Sequence, residues 1–147
     1  MKRSILAAIA LLATIFSVSA DDRHIAADQI PAAAKTFILN YFGAQKITYA
    51  TIDRGIFNSE YNVRLEDGTK IEFDGNGRWT EVERKGAAVP MAIVPPALAS
   101  YVAQSYPDAV VVKIERDNNS TELTLQNQSK HIELKFDAQN HLIDIDD

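Results

Sequence analysis

Tyr61-Asn62-Val63-Arg64-Leu65-Glu66-Asp67-Gly68-Thr69-Lys70-Ile71-Glu72-Phe73-Asp74-Gly75-Asn76-Gly77-Arg78-Trp79 is the stretch that decides the fold. Its apolar residues, Tyr61, Val63 and Leu65 and then Ile71 and Phe73, alternate with polar ones, the period of two expected of strands with one buried face. Asp67-Gly68 and Asp74-Gly75-Asn76-Gly77 are turn chemistry, so successive strands should fold back as hairpins. Outward from this stretch, Ile47, Tyr49 and Thr51 mark an earlier strand, closed by Arg54-Gly55 and Asn58-Ser59, and Trp79 to Val82 marks a later one. Further upstream, Pro31 suits the first turn of a helix that Gly43 ends, with Ile38, Tyr41 and Phe42 on its apolar side.

The same plan returns downstream. Ile30-Pro31 corresponds to Val94-Pro95, Phe37 to Tyr101, Phe42 to Tyr106, and the breaker Gly43 to Pro107. Tyr61-x-Val63 is matched to Leu123-x-Leu125, Ile71-x-Phe73-Asp74 to Leu134-x-Phe136-Asp137, and Trp79 and Val82 to Leu142 and Ile145. Matches in this order and at a near-constant offset point to a duplicated unit. The second helix, carrying Leu98, Tyr101 and Val102, is followed by strands at Val110 to Arg116, Glu122 to Leu125, His131 to Phe136 and Leu142 to Asp144. The fold class is α+β, a tandem repeat of a helix plus a four-stranded antiparallel meander. The expected boundaries are an export signal over 1–20, a leading segment over 21–29, repeats over 30–84 and 94–147, and a linker over 85–93.

Lys2 and Arg3 precede an apolar run from Ile5 to Val18 that ends in Val18-Ser19-Ala20, the pattern of a secretory signal peptide cleaved after Ala20. The run is too short and too polar at its end for a membrane anchor. The full chain has 15 basic and 20 acidic side chains; loss of Lys2 and Arg3 with the signal leaves 13 against 20, a charge of −7. Such a surface is unsuited to phosphate backbones and anionic lipid, so neither nucleic acid nor membrane is an expected partner. An exported chain with no cysteine fits a bacterial periplasm better than a disulfide-stapled extracellular module. The location expected is therefore periplasmic or secreted.

Alternation assigns Asn62, Arg64, Glu66, Lys70 and Glu72, and then Glu122, Thr124, Gln126, Glu133 and Lys135, to the sheet face away from the helices. That face is either solvated, with opposite charges paired across strands, or a polar docking surface. Trp79 either packs beneath the helix or stands at a hairpin edge beside Arg78, joined by Phe57. The residues singled out for partner binding are Phe57, Arg64, Glu72, Arg78 and Trp79.

Catalytic and metal motifs are weak by comparison. Asp74-x-Asn76 begins like a calcium loop, but Arg78, Trp79 and Lys85 stand where the loop needs an oxygen donor, glycine and glutamate. Asp144, Asp146 and Asp147 form an acidic tail. His24, His131 and His141 lack zinc spacing, and Ser59, Ser120 and Ser129 sit in turns and not in a nucleophile elbow. Glu81 with Glu83 is a carboxylate pair of a kind any acidic protein supplies. No enzyme activity, metal or cofactor is expected.

The run Tyr61–Trp79 resembles the Y-x-V-x-(L/F)-x-(D/N)-G-x-x-(I/V)-x-F-D-x-x-G-x-W pattern of the PepSY-like, beta-lactamase-inhibitor-like family of exported bacterial proteins. In the second copy Asn140 and Leu142 replace Gly77 and Trp79. The resemblance implies one eight-stranded antiparallel sheet with both helices on one face, and a periplasmic or secreted location. The function expected is a non-enzymatic binding or interaction module whose partner is another periplasmic or secreted protein. Inhibition or regulation of a secreted hydrolase, a peptidase or a beta-lactamase, is the alternative.

Overall fold

The computed structural model describes residues 22–147; the export signal and its cleavage after Ala20 lie outside the described residues. Strand β1 (Asp22–His24) and a 3-10 turn (Ala27–Gln29) lead into helix α1 (Ala32–Phe42), followed by β2 (Ile47–Arg54), β3 (Ser59–Leu65), β4 (Lys70–Asp74) and β5 (Trp79–Glu83). A second 3-10 turn (Met91–Ile93) then opens α2 (Pro96–Ser105), β6 (Val110–Arg116), β7 (Ser120–Asn127), β8 (Lys130–Asp137) and β9 (Leu142–Asp146). All strands join one antiparallel sheet in chain order, β1 to β9. The α+β class stands, and the sheet has nine strands instead of eight. The additional strand comes from the leading segment ahead of α1: Arg23 pairs with Ile52 and His24 with Thr51.

One side-chain row shows how the core is built. Ala50, Val63, Ile71, Val82, Ile114, Leu123, Leu134 and Ile145 are successive register partners across β2 to β9. All but Ile145 are buried, and Ala34 and Ile38 of α1 and Leu98 and Val102 of α2 close over the same cluster. Both helices therefore cover one face. Each fully buried aliphatic side chain contributes about 1.5–3 kcal/mol, so this row alone is a large part of what holds the two units together. On α1 the buried stripe is Ala34 and Ile38, flanked by Phe37 and Phe42; Tyr41 is 41% exposed and lies on the outer side, its ring 4.9 Å from that of Phe37.

The register also corrects the alignment of the copies. Val63 pairs with Ile71 as Leu123 pairs with Leu134, so Val63-x-Leu65, and not Tyr61-x-Val63, corresponds to Leu123-x-Leu125. A slip of two residues leaves every side chain on its own face, so alternation alone cannot detect it.

Gly77 explains the unequal endings of the two copies. It sits at φ +82°, and a Cβ there would meet Pro31 Cβ at 2.8 Å and the Ala34 nitrogen at 3.0 Å. The start of α1 presses directly on this turn. At the corresponding position Asn140 also adopts positive φ, at 63°, a conformation asparagine tolerates. Between the copies the chain is not loose: the Arg84 and Val89 N–H groups donate to the carbonyls of Val112 and Val111, and Val89 is 1% exposed.

Candidate functional site

The face opposite the helices carries two rows of charge. In one, Asn62, Glu72, Glu81, Glu115, Glu122, Lys135 and Asp144 are successive register partners. Four glutamates thus stand side by side on β4 to β7. In the neighbouring row Arg64, Lys70, Glu83, Lys113, Thr124, Glu133 and Asp146 follow one another. Like charges directly opposed across strands destabilise a sheet. Lys113 offsets part of that cost from the second row, with Nζ 3.4 Å from Glu81 and 3.7 Å from Glu115; Lys135 holds Glu122 at 3.1 Å.

The rows are shielded from water in part, over β4 and β5. Lys70 is 7% and Glu81 8% exposed, their aliphatic stems packed among their neighbours. Burial, reinforced by the charges of Glu81, Glu60 and Glu115, pushes the Glu72 carboxyl up to about 7. Burial also raises Glu81, against the pull of Lys113. For Lys113 burial alone would favour the neutral amine, but Glu81 and Glu115 outweigh it and its pKa is raised. Glu72 is therefore a carboxyl that changes charge near neutral pH.

The residues singled out from sequence separate into three places. Arg64 and Glu72 lie on this face, in different rows. Phe57, 92% exposed beside the 94% exposed Ile56, stands at the tip of the β2–β3 hairpin, and Arg78 is exposed in the β4–β5 turn. These two turns are at the same end of the sheet, where Gly75 approaches the Ser59 carbonyl. Trp79 is 8% exposed, inside the core: its ring faces Phe37 at 6.1 Å and carries the Arg116 guanidinium 3.6 Å from its centroid. Arg116 Nε also donates to the Trp79 carbonyl at 3.0 Å.

Sequence reasoning did not assemble Glu72, Glu81, Glu115 and Glu122 into one row. The missing information is the pairing of β5 with β6, which no hairpin turn announces because the linker and α2 separate them.

The calcium-like and histidine candidates are accounted for locally. Asp74 Oδ1 accepts the N–H groups of Asn76 and Arg78 at 2.9 and 3.0 Å, and Asp137 Oδ1 those of Gln139 and His141, both at 2.9 Å. Each carboxylate closes its own turn. His141 lies 3.5 Å from Asp137, and His24 meets the Tyr49 ring edge-on at 4.9 Å. Among the described residues no three histidine or acidic side chains are grouped to hold a metal ion. One hollow on the polar face is lined by Glu122, Glu133, Leu134, Lys135, Asp144 and Asp146, over β7 to β9.

Comparison with known proteins places this surface in context. The family model described as "Putative beta-lactamase-inhibitor-like, PepSY-like" matches residues 59–144. Among solved structures, a "putative periplasmic protein" of the DUF2874 family from Bacteroides vulgatus is 44% identical, with 88% of this chain and 99% of that one covered and a TM-score of 0.81. A "putative calcium-regulated periplasmic protein" from Bacteroides thetaiotaomicron is 42% identical, with 86% and 98% covered and a TM-score of 0.79. A further Bacteroides vulgatus structure, named a "putative periplasmic protein of unknown function", is 32% identical, with 86% and 99% covered and a TM-score of 0.79. No curated protein matches.

Proposed function

The chain belongs to the PepSY-like, beta-lactamase-inhibitor-like family, and from that premise we propose that it is a non-enzymatic periplasmic or secreted interaction module that docks a cationic protein surface on the polar face of its sheet. The periplasmic names of its structural relatives support the location. The observation that carries the docking role is the unbroken row Glu72, Glu81, Glu115 and Glu122. Lys113 and Lys135 offset part of the repulsion within the row, and a partner's lysines or arginines would relieve the remainder. Charge complementarity of this kind speeds association and selects partners.

The test is capture from periplasmic extract by immobilised residues 21–147, with and without a cross-linker, in parallel with the Glu115→Gln/Glu122→Gln variant. Both residues are partly or fully exposed, so the variant should fold. The expected result is one or a few proteins retained by the parent, released by high salt and lost with the variant. Enrichment of nothing, or equal capture by the variant, would remove the docking role. Because one relative is named calcium-regulated, the capture is run in calcium and in chelator.

Hydrolase inhibition is the narrower form of this reading, supported by the family description. A panel of beta-lactamases and peptidases whose rates are all unchanged by micromolar protein would eliminate it.

A further inference from the structure

Strands β5 and β9 are structural copies. Trp79-Thr80-Glu81-Val82-Glu83 and Leu142-Ile143-Asp144-Ile145-Asp146 both begin with a large apolar residue and end acidic, aliphatic, acidic. They also share their pairing. Phe73 with Trp79, Glu72 with Glu81, Ile71 with Val82 and Lys70 with Glu83 are repeated as Phe136 with Leu142, Lys135 with Asp144, Leu134 with Ile145 and Glu133 with Asp146, with the same irregularity after the first pair.

Their outer edges differ. The edge of β5 carries β6, which sets Glu115 against Glu81, Ile114 against Val82 and Lys113 against Glu83. The edge of β2 carries β1. Two four-stranded meanders have four outer edges, and among the described residues that of β9 alone is unpaired. Burial follows suit: Val82 is 0% exposed, whereas Ile145 is 46% and Ile143 55% exposed.

We infer that the open edge of β9 is a strand-acceptor site for an extended, antiparallel segment of another protein in which aliphatic and basic side chains alternate. The inference rests on the reading of the chain as an interaction module, but not on the acidic row across β4 to β7. The molecule itself supplies the template: Lys113-Ile114-Glu115 is what the equivalent edge of β5 accepts, with Lys113 opposite Glu83 and its Nζ 3.4 Å from Glu81, so a basic residue in place of the glutamate improves the match to an acidic edge. Added strands of this type gain main-chain hydrogen bonds, with side chains selecting the sequence. Asp144, Asp146 and the terminal Asp147 make a basic segment the complementary one. They also disfavour a second copy, because two edges of the same charge sign would meet.

The probes are two labelled peptides, the β6 sequence Val-Val-Val-Lys-Ile-Glu-Arg and the same peptide with lysine in place of its glutamate, titrated against residues 21–147 by fluorescence anisotropy and amide NMR. Both should bind with shifts centred on β9 and β8. The lysine form should bind about fivefold more tightly, since it places a cation opposite Asp144. Asp144→Lys/Asp146→Lys should weaken that binding about tenfold or more, with Asp144→Asn/Asp146→Asn as the milder variant should the first misfold. Glu72→Gln/Glu115→Gln, which leaves the Glu122–Lys135 pair beside Asp144 intact, should leave it within about twofold, so loss of protein capture through the acidic row and loss of peptide binding by the β9 variants report separately. Absence of binding at millimolar peptide, equal binding to both β9 variants, shifts elsewhere in the sheet, or self-association through β9 in sedimentation would overturn the inference.

Discussion

Phe37 of α1 meets Phe73 of β4 edge to face, with ring centroids 5.8 Å apart at 82°, and Tyr101 of α2 meets Phe136 of β8 in the same way, at 5.6 Å and 81°. The second copy thus reproduces the helix-to-sheet contact of the first down to the ring geometry. Edge-to-face pairs add about 0.5–1.5 kcal/mol to the burial of the rings themselves.

Truncating either ring beneath its helix should be costly to the whole chain. Phe73 and Phe136 are 0% and 2% exposed, and Phe73→Ala and Phe136→Ala are each expected to cost about 3–5 kcal/mol. Urea unfolding monitored by circular dichroism measures this. Because one buried row runs from β2 to β8, each variant should unfold in a single transition. A split transition would mean that the units are energetically separate.

Gly77 and Asn140 should respond very differently. Gly77→Ala places a Cβ against Pro31 and the Ala34 nitrogen at positive φ, an expected loss of about 2–3 kcal/mol. Asn140→Gly relieves a residue already at φ 63°, so its effect should lie within about 1 kcal/mol of zero. Thermal melts of the two variants compare them directly.

Trp79 fluorescence should be blue-shifted and poorly quenched by iodide. Arg116→Ala removes both the guanidinium from the indole face and the hydrogen bond to the Trp79 carbonyl. It should cost about 1–3 kcal/mol, shift emission to the red and open the ring to quencher.

Stability should fall as pH rises through the range in which Glu72 titrates. Its folded pKa, about 7, lies above the ordinary 4.5, so between these values the folded chain holds a proton that the unfolded chain releases. This contribution is full below 4.5 and is lost as pH rises to about 7. Glu72→Gln, which mimics the protonated form, should match the parent at pH 4 and exceed it by up to about 3 kcal/mol at pH 8. Asp117, held low by the N–H groups of Asn119 and Ser120, and Asp137, held low chiefly by that of His141, titrate in more acidic conditions and cancel in the comparison.

Much of this molecule could be read from its residues. The duplicated unit, the hairpins at Asp67-Gly68 and Asp74–Gly77, and the sheet face of Arg64 and Glu72 follow from period and turn chemistry. Strand β1 did not, because Asp22-Arg23-His24 is too short to show a period. The two-residue slip between copies was invisible to an alternation of period two. The acidic row was hidden for a different reason: Glu81 and Glu115 lie 34 positions apart and meet only because β5 and β6 pair across the boundary between repeats. Trp79 shows the limit of a single residue type, since an indole at a hairpin edge suits a core and a contact surface equally until its neighbours Phe37 and Arg116 are in place.

The central claim is that four glutamates stand opposed in one row and that burial raises the carboxyls of two of them, Glu72 and Glu81. Carbon-detected NMR titration of the Glu72, Glu81, Glu115 and Glu122 side-chain carboxyls in residues 21–147 tests it most directly. The expected result is a Glu72 midpoint of about 7, with Glu81 also above the ordinary glutamate value of 4.5. Four independent midpoints close to that ordinary value would contradict it.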